Sequence, residues 1–181
     1  MEASKKPYKG CKAEEIAGGP PIPCGLSFKI DGIRGMAYNG GVMSSTGKPL
    51  PNEFIQSKFA LLGEAIYGLD GECAVGNPWD KNLMQQSYSG VMSCGGEPEF
   101  TFWVFDDFSD LTLTFDLRYK KYVERVDILN RVLADMGERQ WLQAVTYDKC
   151  KDSAYYEAKR QDAFNLGYEG LYGKSWDGKY K

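Results

Sequence analysis

Short apolar strands and amphipathic helices follow one another irregularly along this 181-residue chain, and that order restricts the fold more than composition does. Residues 24–47 read as a β-meander. It has strands over Gly25–Asp31 and Gly32–Tyr38, a turn at Asn39-Gly40-Gly41, and a third strand over Val42–Ser45. Asn-Gly between short apolar runs is a hairpin signal, because both residues tolerate positive φ. Pro51–Tyr67 predicts a helix, with Ile55, Phe59, Leu62 and Ile66 recurring on one face. A strand over Gly68–Gly76 follows, then a loop over 77–98 with a short helical turn near Leu83–Tyr88. Beyond it lie an aromatic strand over Phe100–Phe108 and a helix over Leu117–Met136 with Tyr122, Val126 and Leu129 on its face. A strand over Trp141–Tyr147, a helix over Asp152–Leu166 stopped by Gly167, and a last strand from Tyr168 complete the chain. Early hairpins with irregular alternation specify an α+β fold with mostly antiparallel sheets, rather than a doubly wound parallel one. Residues 1–23, ending in Gly18-Gly19-Pro20-Pro21-Ile22-Pro23, read as an extended lead-in.

Composition removes whole classes of chemistry. With no histidine, Ser-His-Asp and Cys-His nucleophiles and histidine-bound metals are excluded. The five cysteines, at 11, 24, 73, 94 and 150, form neither a disulfide framework nor a zinc pattern and read as reduced thiols. Catalysis is left to Lys, Arg, Asp, Glu and an oxygen-ligated metal. A net charge of −3 argues against a strongly basic clamp, although a local basic groove is compatible with it. No run is long enough to span a membrane and the N-terminus lacks a signal-peptide core, so the expected setting is cytoplasmic and membrane-free.

One short string concentrates the chemistry. In Lys29-Ile30-Asp31-Gly32-Ile33-Arg34, a lysine stands between apolar residues and a glycine turn. A lysine amine attacks only when neutral, so the site is expected to depress its pKa by burial or a neighbouring cation. Gly32 permits close approach of the backbone, and Arg34 offers a planar fork for phosphate or ribose oxygens. On this string alone, a hairpin with a surface Lys–Asp pair is an equal reading. Three further segments follow in order: Leu69-Asp70-Gly71-Glu72, the aromatic run from Phe100 to Asp106-Asp107, and Tyr168-Glu169-Gly170-Leu171-Tyr172-Gly173-Lys174.

This ordered set resembles the covalent nucleotidyltransferases: ATP-dependent DNA ligases, RNA ligases and mRNA capping enzymes. The segments Lys48–Gln56 and Gly90–Phe102 are similar to those of small bacteriophage-type DNA ligases. The resemblance runs from about Tyr8 to the last residue. It implies one adenylation domain over residues 1–181, with two mostly antiparallel sheets flanked by helices and a nucleotide groove between them. It also implies a reaction. Lys29 attacks the α-phosphorus of ATP, expels pyrophosphate, and carries AMP covalently for transfer to a 5′-phosphate at a nick. Mg²⁺ assists, held by Glu72 and Glu169. Nucleotide contacts fall to Ser27 on the adenine edge, Ile30, Arg34 on the ribose or the nick, Glu72 on the ribose, Phe105 as the stacking ring, Glu169, and Lys174 on a phosphate. The implied partner is a nicked DNA duplex, met by a monomer in repair, replication or recombination. An RNA ligase shares every motif, and a non-sealing adenine-nucleotide-binding module is the alternative from outside the enzyme class. A GTP-using capping enzyme fits the connecting segments less well, and the paired tyrosines of an NAD⁺-recognition region are absent.

Two departures stand out. Ser45 occupies the position of a family arginine, with Lys48 the nearest basic substitute. Asp177-Gly178-Lys179-Tyr180-Lys181 resembles the phage-ligase turn that precedes the last Lys-x-Lys strand, so that strand and a C-terminal OB-fold domain are expected to be missing. The chain by itself is therefore expected to bind adenine nucleotide and to seal nicks poorly, because phosphate contacts dominate nucleic-acid affinity.

Overall fold

Strands β1 (Cys24–Lys29) and β2 (Ile33–Tyr38) are consecutive in sequence but lie in different sheets. This is seen in a computed structural model that describes residues 19–38, 40–112 and 115–180. The lead-in over residues 1–18, Asn39 of the expected turn, and Lys181 lie outside the described residues. β2 does pair with β3 (Gly41–Met43) as a hairpin, but β1 pairs with neither, so the expected meander over 24–47 is corrected. The cause is the crossing at Ile30-Asp31-Gly32. A Cβ on Gly32 would lie 2.6 Å from the Cys73 carbonyl oxygen, so only glycine lets the chain pass this closely over the larger sheet.

That larger sheet has the order β3-β2-β4-β5-β8, with β4 at Leu69–Val75, β5 at Phe100–Asp107 and β8 at Leu142–Ala144. Its pairs are antiparallel except β5–β8. A two-stranded ribbon of β6 (Asp110–Thr112) and β7 (Phe115–Asp116) follows β5, and the smaller sheet joins β1 to strands from late in the chain. This has the order β10-β1-β9, with β9 at Asp148–Cys150 and β10 at Gly170–Ser175, and is wholly antiparallel. The strand expected over Trp141–Tyr147 is shorter, β8 alone, and a further strand that was not expected, β9, follows it in the other sheet.

Helices α1 (Glu53–Leu62) and α3 (Tyr122–Asp135) cover one face of the larger sheet. Ile55, Phe59 and Leu129 pack there against Cys73, Phe102 and Val104. α1 ends earlier than its apolar periodicity predicts, because Gly63 turns the chain at φ 54°; Ile66 is still buried, on a 3₁₀ turn. The expected helical turn near Leu83 is a full helix, α2 (Leu83–Val91), and α4 (Ser153–Leu166) leads into β10. Among the described residues no helix is long and apolar enough to cross a membrane.

The two phage-ligase-like segments meet in one latch. Asn52 is fully buried. It caps α1 by accepting from the Ile55 N–H at 2.9 Å, and its amide reaches the carbonyls of Gly90, Gly95 and Gly96 at 3.2–3.4 Å. Gln56 donates to the carbonyls of Val42 and Leu50, each at 2.7 Å. Asn52→Ala removes a cap and the hydrogen bonds of a buried amide, so it is expected to lower stability by about 1–3 kcal/mol in urea denaturation. A loss below about 0.5 kcal/mol would mean that the latch contributes nothing beyond local capping.

Candidate active site

The antiparallel register of β1 and β10 sets the groove. Lys29 faces Gly170, Ser27 faces Tyr172 and Gly25 faces Lys174. Across from them the larger sheet presents Arg34 on β2, Glu72 directly opposite it on β4, and Phe105 on β5. Phe105 owes its position to a bulge. Asp70 pairs with Asp106 and Gly71 with Val104, which leaves Phe105 as the extra residue. Bulges re-aim side chains, and after this one Asp106 lines the groove cavity beside Phe105 while Phe102 and Val104 remain in the core. The cavity measures about 460 Å³.

At one end stands Lys29. Its Nζ makes an ion pair with Glu169 Oε2 and lies 5.8 Å from the centroid of the Tyr172 ring. Burial pulls the ammonium pKa down, but the hydrogen bond to Glu169, with the charges of Tyr172, Glu169 and Asp31, outweighs it and holds the amine above its ordinary value. The expected depression is therefore reversed in the ligand-free groove, and the carboxylate partner is the reason. Asp31 is held above the usual carboxylate range by burial and by Glu169, which it contacts through a hydrogen bond. Glu72 is pushed up to about 8, first by burial and then by Asp70, with Arg34 and Lys29 pulling it partly back.

At the other end the charges are paired. Asp106 is buried and receives Arg125 Nε at 2.7 Å, Arg125 Nη2 at 3.0 Å and Lys174 Nζ at 2.7 Å. Lys174, its side chain 31% exposed, is thus tied to Asp106 and not to Lys29. Four register steps along β10 carry it roughly 13 Å from the Lys29 end, since a strand rises about 3.4 Å per residue. Its ammonium sits 4.7 Å from the Phe105 centroid. Arg34 is held by Asp70 in a two-point fork, at 3.0 and 2.7 Å, with its guanidinium carbon 5.8 Å from the Phe105 centroid.

The structure thus brings Ser27, Arg34, Phe105 and Lys174 around one cavity, with Lys29, Glu72 and Glu169 at its end. Ile30 is different. Its side chain packs with Ala74 and Leu83, so it serves the core and borders only the narrow gap between Ser27 and Phe105. Sequence reasoning missed Tyr172, Arg125, Asp70 as the holder of Arg34, and Tyr180 as a wall of the cavity. The Asp-Gly-Glu and Glu-Gly strings pointed to the right strands, but pairing across strands is not written in either. Among the described residues no three acidic or cysteine side chains converge to hold a metal. Mg²⁺ takes one or two carboxylates and fills its shell with waters and substrate phosphates, and Glu72 and Glu169, flanking Lys29, fit that demand.

No protein-family model matches the sequence, and no curated protein matches it. Solved structures do. The Chlorella virus DNA ligase-adenylate superposes with a TM-score of 0.76 at 24% identity, over 99% of this chain and 64% of that one. A second structure of that ligase gives 0.71 at 26% identity, over 90% and 56%. A Lig E DNA ligase, described as binding DNA with a minimal scaffold, gives 0.72 at 16% identity over 96% and 64%. The bacteriophage T7 ATP-dependent DNA ligase in complex with ATP gives 0.60 at 14%, over 89% and 59%. The chain therefore spans somewhat under two thirds of each of these ligases, and its α+β fold is that of their adenylation domains.

Glu72 yields a test that needs no ligand. Between its ordinary value of 4.5 and about 8, the folded chain keeps a proton that the unfolded chain releases. Its contribution to stability therefore falls as pH rises through that window. Glu72→Gln removes this titration, and its melting temperature is expected to match wild type near pH 4.5 and to exceed it by a few degrees at pH 8. A pH-independent difference would refute the assignment of the buried proton to Glu72.

Proposed function

We propose that this chain, which carries the adenylation-domain fold of ATP-dependent DNA ligases, is a covalent nucleotidyltransferase that loads AMP onto Lys29 for transfer to the 5′-phosphate of a nicked DNA duplex. One observation carries the reading: Lys29 stands at the end of the groove in contact with Glu169, and close enough to Glu72 for its charge to act on that carboxyl.

The other residues fall into roles along the groove. Phe105 and Tyr172 line the cavity with ring centroids 6.4 Å apart. A base stacked between two rings needs about 7 Å, because aromatic carbons approach to about 3.5 Å on each face, so a small opening of this pair admits adenine. Lys174 then lies at the edge of the base and donates to a ring nitrogen that accepts in adenine but carries hydrogen in guanine. That selects ATP over GTP and moves Lys174 from the phosphate role to the base. Ser27 borders the same base. Glu72 contacts the ribose or a water bound to the metal.

With the base seated there, the α-phosphorus reaches Lys29. The amine must first lose its proton, for which Glu169 is the carboxylate already in contact. The Lys29 nitrogen lone pair then forms the N–P bond, and the bond to the bridging oxygen of the β-phosphate breaks with its electrons, releasing pyrophosphate. In the second step an oxygen of the 5′-phosphate attacks the same phosphorus and Lys29 leaves. Bound Mg²⁺, held by Glu169 with Glu72 as the second carboxylate, would supply charge neutralisation of the triphosphate.

Denatured mass after incubation with Mg²⁺ and ATP is expected to show one AMP added, with little or none from GTP and none in Lys29→Ala. An adduct that persists in Lys29→Ala, or that maps to Lys174 or Lys179, contradicts the assignment.

A further inference from the structure

We propose that Asp70 and Tyr180 are positioning residues that fix the Arg34 guanidinium beside the Phe105 ring, so that the segment Trp176–Tyr180 is a working wall of the nucleotide groove. The inference rests on the nucleotidyltransferase reading and adds to it roles for two residues, Asp70 and Tyr180, to which the sequence analysis assigns none.

The geometry is a relay. The Tyr180 hydroxyl donates to Asp70 Oδ2 at 2.6 Å. The same oxygen accepts from Arg34 Nη2 at 2.7 Å, while Oδ1 accepts from Arg34 Nε at 3.0 Å. Asp70 has no exposed surface and Tyr180 only 7%. A buried carboxylate is tolerated only when its lone pairs are filled, and here an arginine fork and a phenol share the work. With the phenol and the guanidinium both on Oδ2 and the guanidinium also on Oδ1, rotation of the carboxylate would break these bonds. Arg34 is thereby presented at a defined place in the cavity, flanking the ring proposed to stack on the base.

Tyr180 can do this because the segment before it is anchored. The Gly178 carbonyl accepts from Arg125 Nη1 at 3.0 Å, the Tyr180 N–H donates to the Arg118 carbonyl at 3.1 Å, and the Val123 N–H donates to the Trp176 carbonyl at 3.3 Å. The Tyr180 ring itself packs 5.6 Å from Phe108, in a cluster with Met36 and Tyr38. Removing the hydroxyl alone leaves that packing in place.

The experiment uses the full chain. AMP loading as a function of ATP concentration, and melting temperature, are measured for wild type, Tyr180→Phe, Arg34→Ala and the double variant; Asp70→Asn replaces Arg34→Ala should the latter not fold. Tyr180→Phe is expected to raise half-saturating ATP about tenfold, the scale of one charge-assisted hydrogen bond, with the saturated rate within about twofold of wild type. It is expected to add nothing in the Arg34→Ala or Asp70→Asn background, because residues acting through one contact are not additive. A lower melting temperature with unchanged half-saturating ATP, or full additivity, overturns the proposal. In parallel, the Arg34 Nε–H signal of the ligand-free protein is followed by NMR. It is expected to exchange slowly in wild type and fast in Tyr180→Phe. A wild-type chain that takes up no AMP sinks the nucleotidyltransferase reading, and the NMR result then decides the relay by itself: protection unchanged in Tyr180→Phe overturns it.

Discussion

A single buried carboxylate, Asp106, ties the two sheets together. It lies on β5 of the larger sheet and receives Arg125 from α3 and Lys174 from β10 of the smaller sheet. Burial alone would raise its pKa, but the two cations more than offset that and keep it charged and below the ordinary carboxylate value. Deleting one partner of such a buried group costs about 3–5 kcal/mol, which is why β10 has little freedom to slide. With Lys174 held there, the register of β10 against β1 places Tyr172 opposite Ser27 and Gly170 opposite Lys29, so that Glu169 meets the amine. The groove depends on this tether.

Its two ends are built on opposite electrostatic terms. Asp106 and Asp70 each meet an arginine fork, which gives rigid walls at their end of the groove. Around Lys29, Glu169 and Asp31 act on one ammonium, whose charge also reaches Glu72. Asp31 is pushed above the usual carboxylate range, Glu72 is neutral to about pH 8, and Lys29 is held protonated. On the proposed reading, the pairing that holds the Lys29 amine and the pairing that would hold a divalent ion use the same carboxylate, Glu169.

Much of this was legible from the chain, and the parts that were not share a cause. Lys29, Arg34, Glu72 and Glu169 stand in short strings whose spacing reports local backbone chemistry, and helices α1, α3 and α4 report themselves by periodicity or by a cap such as Gly167. The meander failed because strand propensity says that Gly25–Tyr38 is extended, not which strand it pairs with. The Glu-Gly string fixes the distance of Lys174 from Glu169 in residues, while the strand sets it at the far end of the groove, on Asp106. Tyr180 was invisible because its partner lies 110 positions away.

The sequence by itself therefore determined the element types, the α+β class, the exclusion of histidine chemistry and the residues able to do lysine and carboxylate chemistry, since all of these follow from local propensity and side-chain identity. Tertiary structure alone decided which sheet each strand joins, the bulge that turns Phe105 and Asp106 into the groove, the ion pairs that raise rather than lower the Lys29 pKa, and the relay from Tyr180 to Arg34. These depend on cross-strand register and on burial. Both are properties of residues far apart in the chain, settled only when the buried charges find partners together.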